Sequence, residues 1–141
     1  MQFRALNDTY VIKLERGERV LESLTSFFAE HTVTFATLSG IGAVEQVNCG
    51  YYDLPTKTYH FTEYPDLVEV VSMTGNVSLK EGKPFLHVHA VFTDQRNQAF
   101  GGHVVEMVVG VTLEVIVRKF DTEIDRQYDE EIGLHTLNFC Q

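Results

Sequence analysis

Only one stretch of this 141-residue chain, Val20 to Phe28, repeats apolar residues at the spacing of a helix. Nearly everywhere else, β-branched and apolar residues alternate or cluster between turn signals. That imbalance points to an α+β fold made mostly of antiparallel β-sheet and carrying one principal helix. Val20, Leu24, Phe27 and Phe28 supply the helix's apolar stripe, with Glu15, Arg16, Glu18, Arg19 and Glu22 on its polar side. Ahead of it, Phe3 to Leu6 and Tyr10 to Leu14 flank Asn7-Asp8, the chemistry of a tight turn, so a hairpin opens the chain.

Further strands are expected at Thr34 to Ile41, Ala43 to Tyr52, Val68 to Leu79, Phe85 to Thr93, Ala99 to Val108 and Thr112 to Phe120. Shorter ones follow at Ile124 to Tyr128 and Leu134 to Phe139. Lys80-Glu81-Gly82-Lys83 and Asp94 to Gln98 read as hairpin connections, and Ser39-Gly40-Ile41-Gly42 as a sharp turn between two strands. Those glycines do not make a dinucleotide loop, because Glu45 takes the third glycine position and a strand follows where a helix N-terminus is needed. Gly75 to Pro84 fails as a phosphate loop: six residues separate its glycines, and Pro84 replaces the Ser or Thr.

The length suits one domain over residues 1–141. The longest apolar run, Val104 to Val117, is broken by Glu106, Gly110 and Glu114, so no membrane span is expected. Residues 1–4 lead straight into a strand pattern without an export signal, which predicts a cytoplasmic protein. In that compartment Cys49 and Cys140 are reduced thiols and the sequons at Asn7 and Asn76 are chance matches. Eleven basic against 20 acidic residues leave a net charge of -9, a field that repels phosphate and disfavours nucleic-acid binding by this chain alone. Lys80, Lys83 and Arg96 are too few and too dispersed to form a basic stripe.

Three histidines carry the chemistry. On a strand from 85 to 93, His87 and His89 project from one face roughly 7 Å apart, close enough to share a metal ion. The loop at 94–98 returns the chain antiparallel, bringing His103 alongside. Three imidazoles without a fourth protein ligand suit an open site, with zinc the first choice and iron, nickel, copper or manganese also compatible. The same spacing equally fits hydrogen-bonded histidines packed against a neighbouring subunit. His31, His60 and His135 are isolated and receive no role. A histidine-only site would release its metal below about pH 6, as the imidazoles protonate.

Four blocks in order, Leu38 to Ala43, Val71 to Ser78, Pro84 to Ala90 and Gly101 to His103, resemble the plant and prokaryote conserved (PPC) domain family over about residues 3–120. Residues 121–141 then form a C-terminal strand or tail extension. The resemblance implies a homotrimer with the sheet packed at subunit interfaces. It also implies a DNA-binding description inherited from plant members that carry AT-hooks. This chain has no Arg-Gly-Arg-Pro hook, and Asp66-Leu67-Val68-Glu69-Val70-Val71 lacks the arginine of the corresponding plant segment. The family is similar in fold to acetolactate decarboxylase, and His87, His89 and His103 match that enzyme's zinc ligand pattern.

Two functions are therefore expected. One is a trimeric binding module with a three-histidine divalent metal site and a possible small-molecule ligand. The other is a metal-dependent enzyme acting on a small keto or hydroxy acid. No catalytic residue is assigned: on a regular strand Glu106 points away from His103, and Glu106 and Glu114 read as surface carboxylates. The acidic segment from Asp121 to Glu131 reads as a solvated face, while Ile132, Leu134, Leu137 and Phe139 dock the tail on the domain or on a neighbouring subunit.

Overall fold

The computed structural model describes residues 1–139, so Cys140 lies outside the described residues. The opening hairpin pairs β1 (Gln2–Leu6) with β2 (Thr9–Glu15), and Asn7 at φ 52° provides the left-handed turn position. Helix α1 (Val20–Glu30) buries Val20, Leu24, Phe27 and Phe28, the stripe expected from their spacing. The remaining strands are β3 (Ala36–Asp53), β4 (Thr58–Tyr64), β5 (Val68–Lys80), β6 (Lys83–Thr93), β7 (Ala99–Lys119), β8 (Arg126–Asp129) and β9 (Leu134–Leu137).

Seven strands form one antiparallel sheet in the order β1-β2-β7-β6-β5-β3-β4, while β8 and β9 form a separate two-stranded ribbon. Because β3 also pairs with β7, the strands β7, β6, β5 and β3 close into a ring. One continuous core fills it and extends under α1, built from Ile12, Leu14, Met73, Phe92, Met107 and Leu113 with the helix phenylalanines. The β5–β6 connection is the expected hairpin, with positive φ at both Glu81 (54°) and Gly82 (73°).

Two expected breaks are absent. Ser39 to Gly42 is no turn: it lies inside the 18-residue β3, where the register shifts between Gly40 and Gly42 against β5 and between Gly42 and Val44 against β7. The glycine serves close approach instead, because a Cβ on Gly42 would collide with the Thr112 carbonyl oxygen. Likewise, the strands expected at 99–108 and 112–120 are one 21-residue strand, β7, running through Gly110. β-Bulges absorb the irregularity that reads as a turn in the sequence.

The helix start solves a local problem with a distant residue. Its N-cap position is Arg19, which makes no side-chain cap. Glu106 of β7 accepts from the backbone N–H of Leu21 (2.8 Å) and Glu22 (3.2 Å) in its place. The expectation of a surface carboxylate at Glu106 is thereby corrected, whereas Glu114 is exposed.

Candidate metal centre

The β6 alternation buries Val88, Ala90 and Phe92 and turns His87 and His89 to the outer side. Across the β6–β7 ladder His103 is the direct partner of His89. Ring centroids of the three histidines stand 5.1, 5.2 and 5.4 Å apart, and one nitrogen from each lies within 4.8 Å of the others. Nε2 of His87 and Nε2 of His89 are 3.2 Å apart. Two nitrogens at ordinary Zn–N distances on a tetrahedral ion would be about 3.4 Å apart, so this pair fits an ion of that size.

His103 supplies a second sign of fit. Its Nδ1 is buried with no hydrogen-bond partner, a costly state for a polar atom. The Tyr59 ring packs 4.9 Å from the His103 ring and orients it. Burial first, then Arg126, His103 and His89, lower the His87 pKa to about 4. The His103 pKa is lowered by burial, by His89 and by Arg126. Both shifts keep the imidazoles neutral at physiological pH, the state in which a ring nitrogen can ligate.

The ribbon of β8 and β9 covers one side of this cluster. Leu79 N–H donates to the Ile124 carbonyl (2.9 Å), and a parallel bridge joins Leu79 to Asp125. Next to that anchor, Arg126 turns inward. Its Nε donates to Ser78 Oγ (2.8 Å), Nη1 to the His135 carbonyl (2.9 Å) and Nη2 to Asn76 Oδ1 (3.0 Å). Nη2 also lies 3.5 Å from His87 Nδ1, and the guanidinium carbon sits 4.8 Å from the centre of the Phe85 ring. A cavity of about 510 Å³ opens between this ribbon and the histidines.

Sequence reasoning missed Arg126, and its signal was available: it is the one cation between Asp121 and Glu131, a segment otherwise rich in acids. His135 also lies nearer the centre than its isolation in sequence suggested, lining the cavity and offering its carbonyl to Arg126. His31 instead packs its ring 4.3 Å from Phe27, and His60 stacks on Tyr51.

A mainly antiparallel sheet closed on itself, with one helix and a histidine cluster on its outer side, defines an α+β protein of the PPC fold. The model of the Plants and Prokaryotes Conserved (PCC) domain matches residues 1–121, and the chain belongs to that family. It is similar to a metal-containing protein from Archaeoglobus fulgidus, with 31% identity, 98% of this chain and 99% of that one covered, and a TM-score of 0.89. A putative DNA-binding protein from Ralstonia eutropha JMP134 is 30% identical, with 98% and 96% covered and a TM-score of 0.90. α-Acetolactate decarboxylase from Bacillus subtilis shares the fold at 14% identity, covering 89% of this chain and 58% of the enzyme, with a TM-score of 0.57. No curated protein sequence matches the chain.

Proposed function

We propose that His87, His89 and His103 hold one divalent metal ion, with Zn2+ the first choice, and that the protein binds a small molecule there. The observation that carries this reading is the convergence of three ring nitrogens within 4.8 Å, one face of the cluster opening on a cavity. The likeness to the metal-containing archaeal protein supports it. Three nitrogen ligands leave a coordination position for a ligand, and an ion held there would polarise a bound oxygen as a Lewis acid. Elemental analysis of tag-free protein beside the His87→Ala, His89→Ala double variant tests it. About one metal per chain, lost in the variant, is expected; no metal in either protein after reconstitution would end the reading.

The second reading, a metal-dependent enzyme on a small keto or hydroxy acid, draws support from the fold shared with acetolactate decarboxylase and from that same cavity. Turnover of such acids by metal-loaded protein, absent from the double variant, separates it from simple binding. Direct DNA binding, suggested by the Ralstonia neighbour's description, ranks below both because the chain carries net charge -9.

We further propose that residues 1–141 act as one domain within a homotrimer. Val11, Ile41, Val71, Val91, Val105 and Ile116 are exposed on five neighbouring strands, an apolar display suited to contact between copies. Light scattering at a mass of three chains is the expected result, and a monomer at micromolar concentration would overturn it. The free, buried Cys49 suits a reducing, cytoplasmic setting, and no described helix is long and apolar enough to cross a membrane.

A further inference from the structure

Arg126 presents a charge that the protein leaves unanswered. Its three shortest hydrogen bonds go to a serine hydroxyl, an asparagine carbonyl and a backbone carbonyl, all neutral, its fourth contact is the His87 ring, and no carboxylate pairs with it among the described residues. Ser78, which receives Nε, is fully buried, so the guanidinium is fixed in place rather than solvated at will. A half-buried cation without a counter-ion is costly unless something negative completes it.

The surrounding cavity sharpens this. Lys80 and Arg126 both line it, together with His87 and His103, and no aspartate or glutamate does. Other concavities of the molecule carry acids: Asp66 and Asp94 in one, Glu63 and Glu106 in a second, Asp8 and Asp121 in a third, Glu22 and Glu106 in a fourth. In a chain with 20 acidic and 11 basic residues, a cavity with two fixed-charge cations and no acid is a departure in the direction of an anionic occupant.

Tautomer chemistry gives an independent reason. If the Nε2 atoms that stand 3.2 Å apart are the ligating atoms, His87 must carry its proton on Nδ1. That N–H then lies 3.5 Å from the Nη2 donor of Arg126, two donors facing one another with no acceptor between them. An oxygen atom that accepts from both removes the conflict.

We infer that Arg126, carried by the ribbon beyond residue 121, is the anion-recognising residue of this centre and that the ligand is a small organic carboxylate. The inference rests on the metal reading above. The planar guanidinium matches a carboxylate in fork geometry, and the Phe85 ring beneath it keeps that plane fixed. The cavity of about 510 Å³ admits a ligand of a few carbon atoms beside the histidines. Arg126 thereby sets specificity from outside the segment that the family model covers.

The test uses full-length protein loaded with Co2+, whose visible absorption reports changes at the metal. Metal per chain is counted first, in the native protein and in Arg126→Gln and Arg126→Lys variants. Oxalate, pyruvate and inorganic phosphate are then titrated by calorimetry and by absorption. Oxalate or pyruvate should bind the native protein, shift its spectrum and bind about tenfold to a hundredfold more weakly to Arg126→Gln, with Arg126→Lys recovering part of the loss and metal content unchanged. Full cobalt loading with equal carboxylate affinity in native protein and both variants would overturn the role of Arg126 and leave the metal site standing. Phosphate binding tighter than either carboxylate would overturn the ligand class. Failure of the native protein to bind cobalt or zinc would overturn the inference together with the metal reading. If Arg126→Gln does not fold, the Arg126→Lys comparison alone decides, because it keeps the charge and loses the fork.

Discussion

The two halves of the candidate centre are built on very different supports. His87, His89 and His103 stand on β6 and β7, central strands paired on both sides within a closed ring. Arg126 stands on a two-stranded ribbon that no ladder joins to the main sheet. It is held there by one isolated bridge, by the arginine's own hydrogen bonds, and at its turn by Tyr52 Oη and Lys57 Nζ, which donate to the carbonyls of Ile132 and Glu130. A ladder shared with two neighbours resists local opening more than a ribbon tied down mainly by side chains. The geometry thus separates a fixed ligand set from an adjustable cover, and variants on each side should behave differently.

The largest expected effect lies on the fixed side. Replacing His87 and His89 with alanine should take metal content from about one per chain to near zero with little change in the metal-free melting temperature, since neither side chain belongs to the core. A large fall in metal-free stability would instead mean that the two histidines hold the sheet together. On the adjustable side, truncation after Phe120 should lower the melting temperature by several degrees. It removes the donors to fully buried Ser78 and to Asn76 and the cover over Phe85, on the order of 2 kcal/mol in all. Metal content near one per chain in the truncated protein would sharpen the contrast, and loss of metal with the tail would break it.

Glu106 offers a control three residues from His103 on the same strand but directed to a different partner. Glu106→Ala strips the acceptor from Leu21 and Glu22 at the start of α1, costing about 1 kcal/mol and a few degrees of melting temperature, with metal binding intact. Loss of metal in that variant would show that helix docking and the histidine cluster are coupled.

These residues also mark where sequence is readable. The face shared by His87 and His89 follows from period two, and the approach of His103 follows from a short loop, so both are local facts. The α1 stripe is local as well. Glu106 capping a helix 85 residues away and Arg126 reaching Ser78 across 48 are set by the closure of the sheet, which no nearby pattern encodes. The glycines of β3 and β7 mislead for a related reason: Gly42 looks like turn chemistry, yet the missing Cβ is required by a strand that is distant in sequence.

The last expected effect is the pH response, and it reports directly on the fixed side. In the metal-free protein His87 is held near 4 while an unfolded imidazole titrates near 6.5, so between those values the unfolded chain binds the extra proton and the folded one resists it. The contribution of neutral His87 is therefore fully present above about pH 6.5 and is lost as pH falls through about 4. Lowered pKa values at His87 and His103 also favour metal retention to a lower pH than an unperturbed cluster near 6 would allow. Melting temperatures of metal-free protein between pH 7 and 4 should decline over that window, and the decline should shrink in the His87→Ala, His89→Ala variant. An identical slope in both proteins would assign the acid sensitivity to carboxylates elsewhere and remove burial of His87 as its cause.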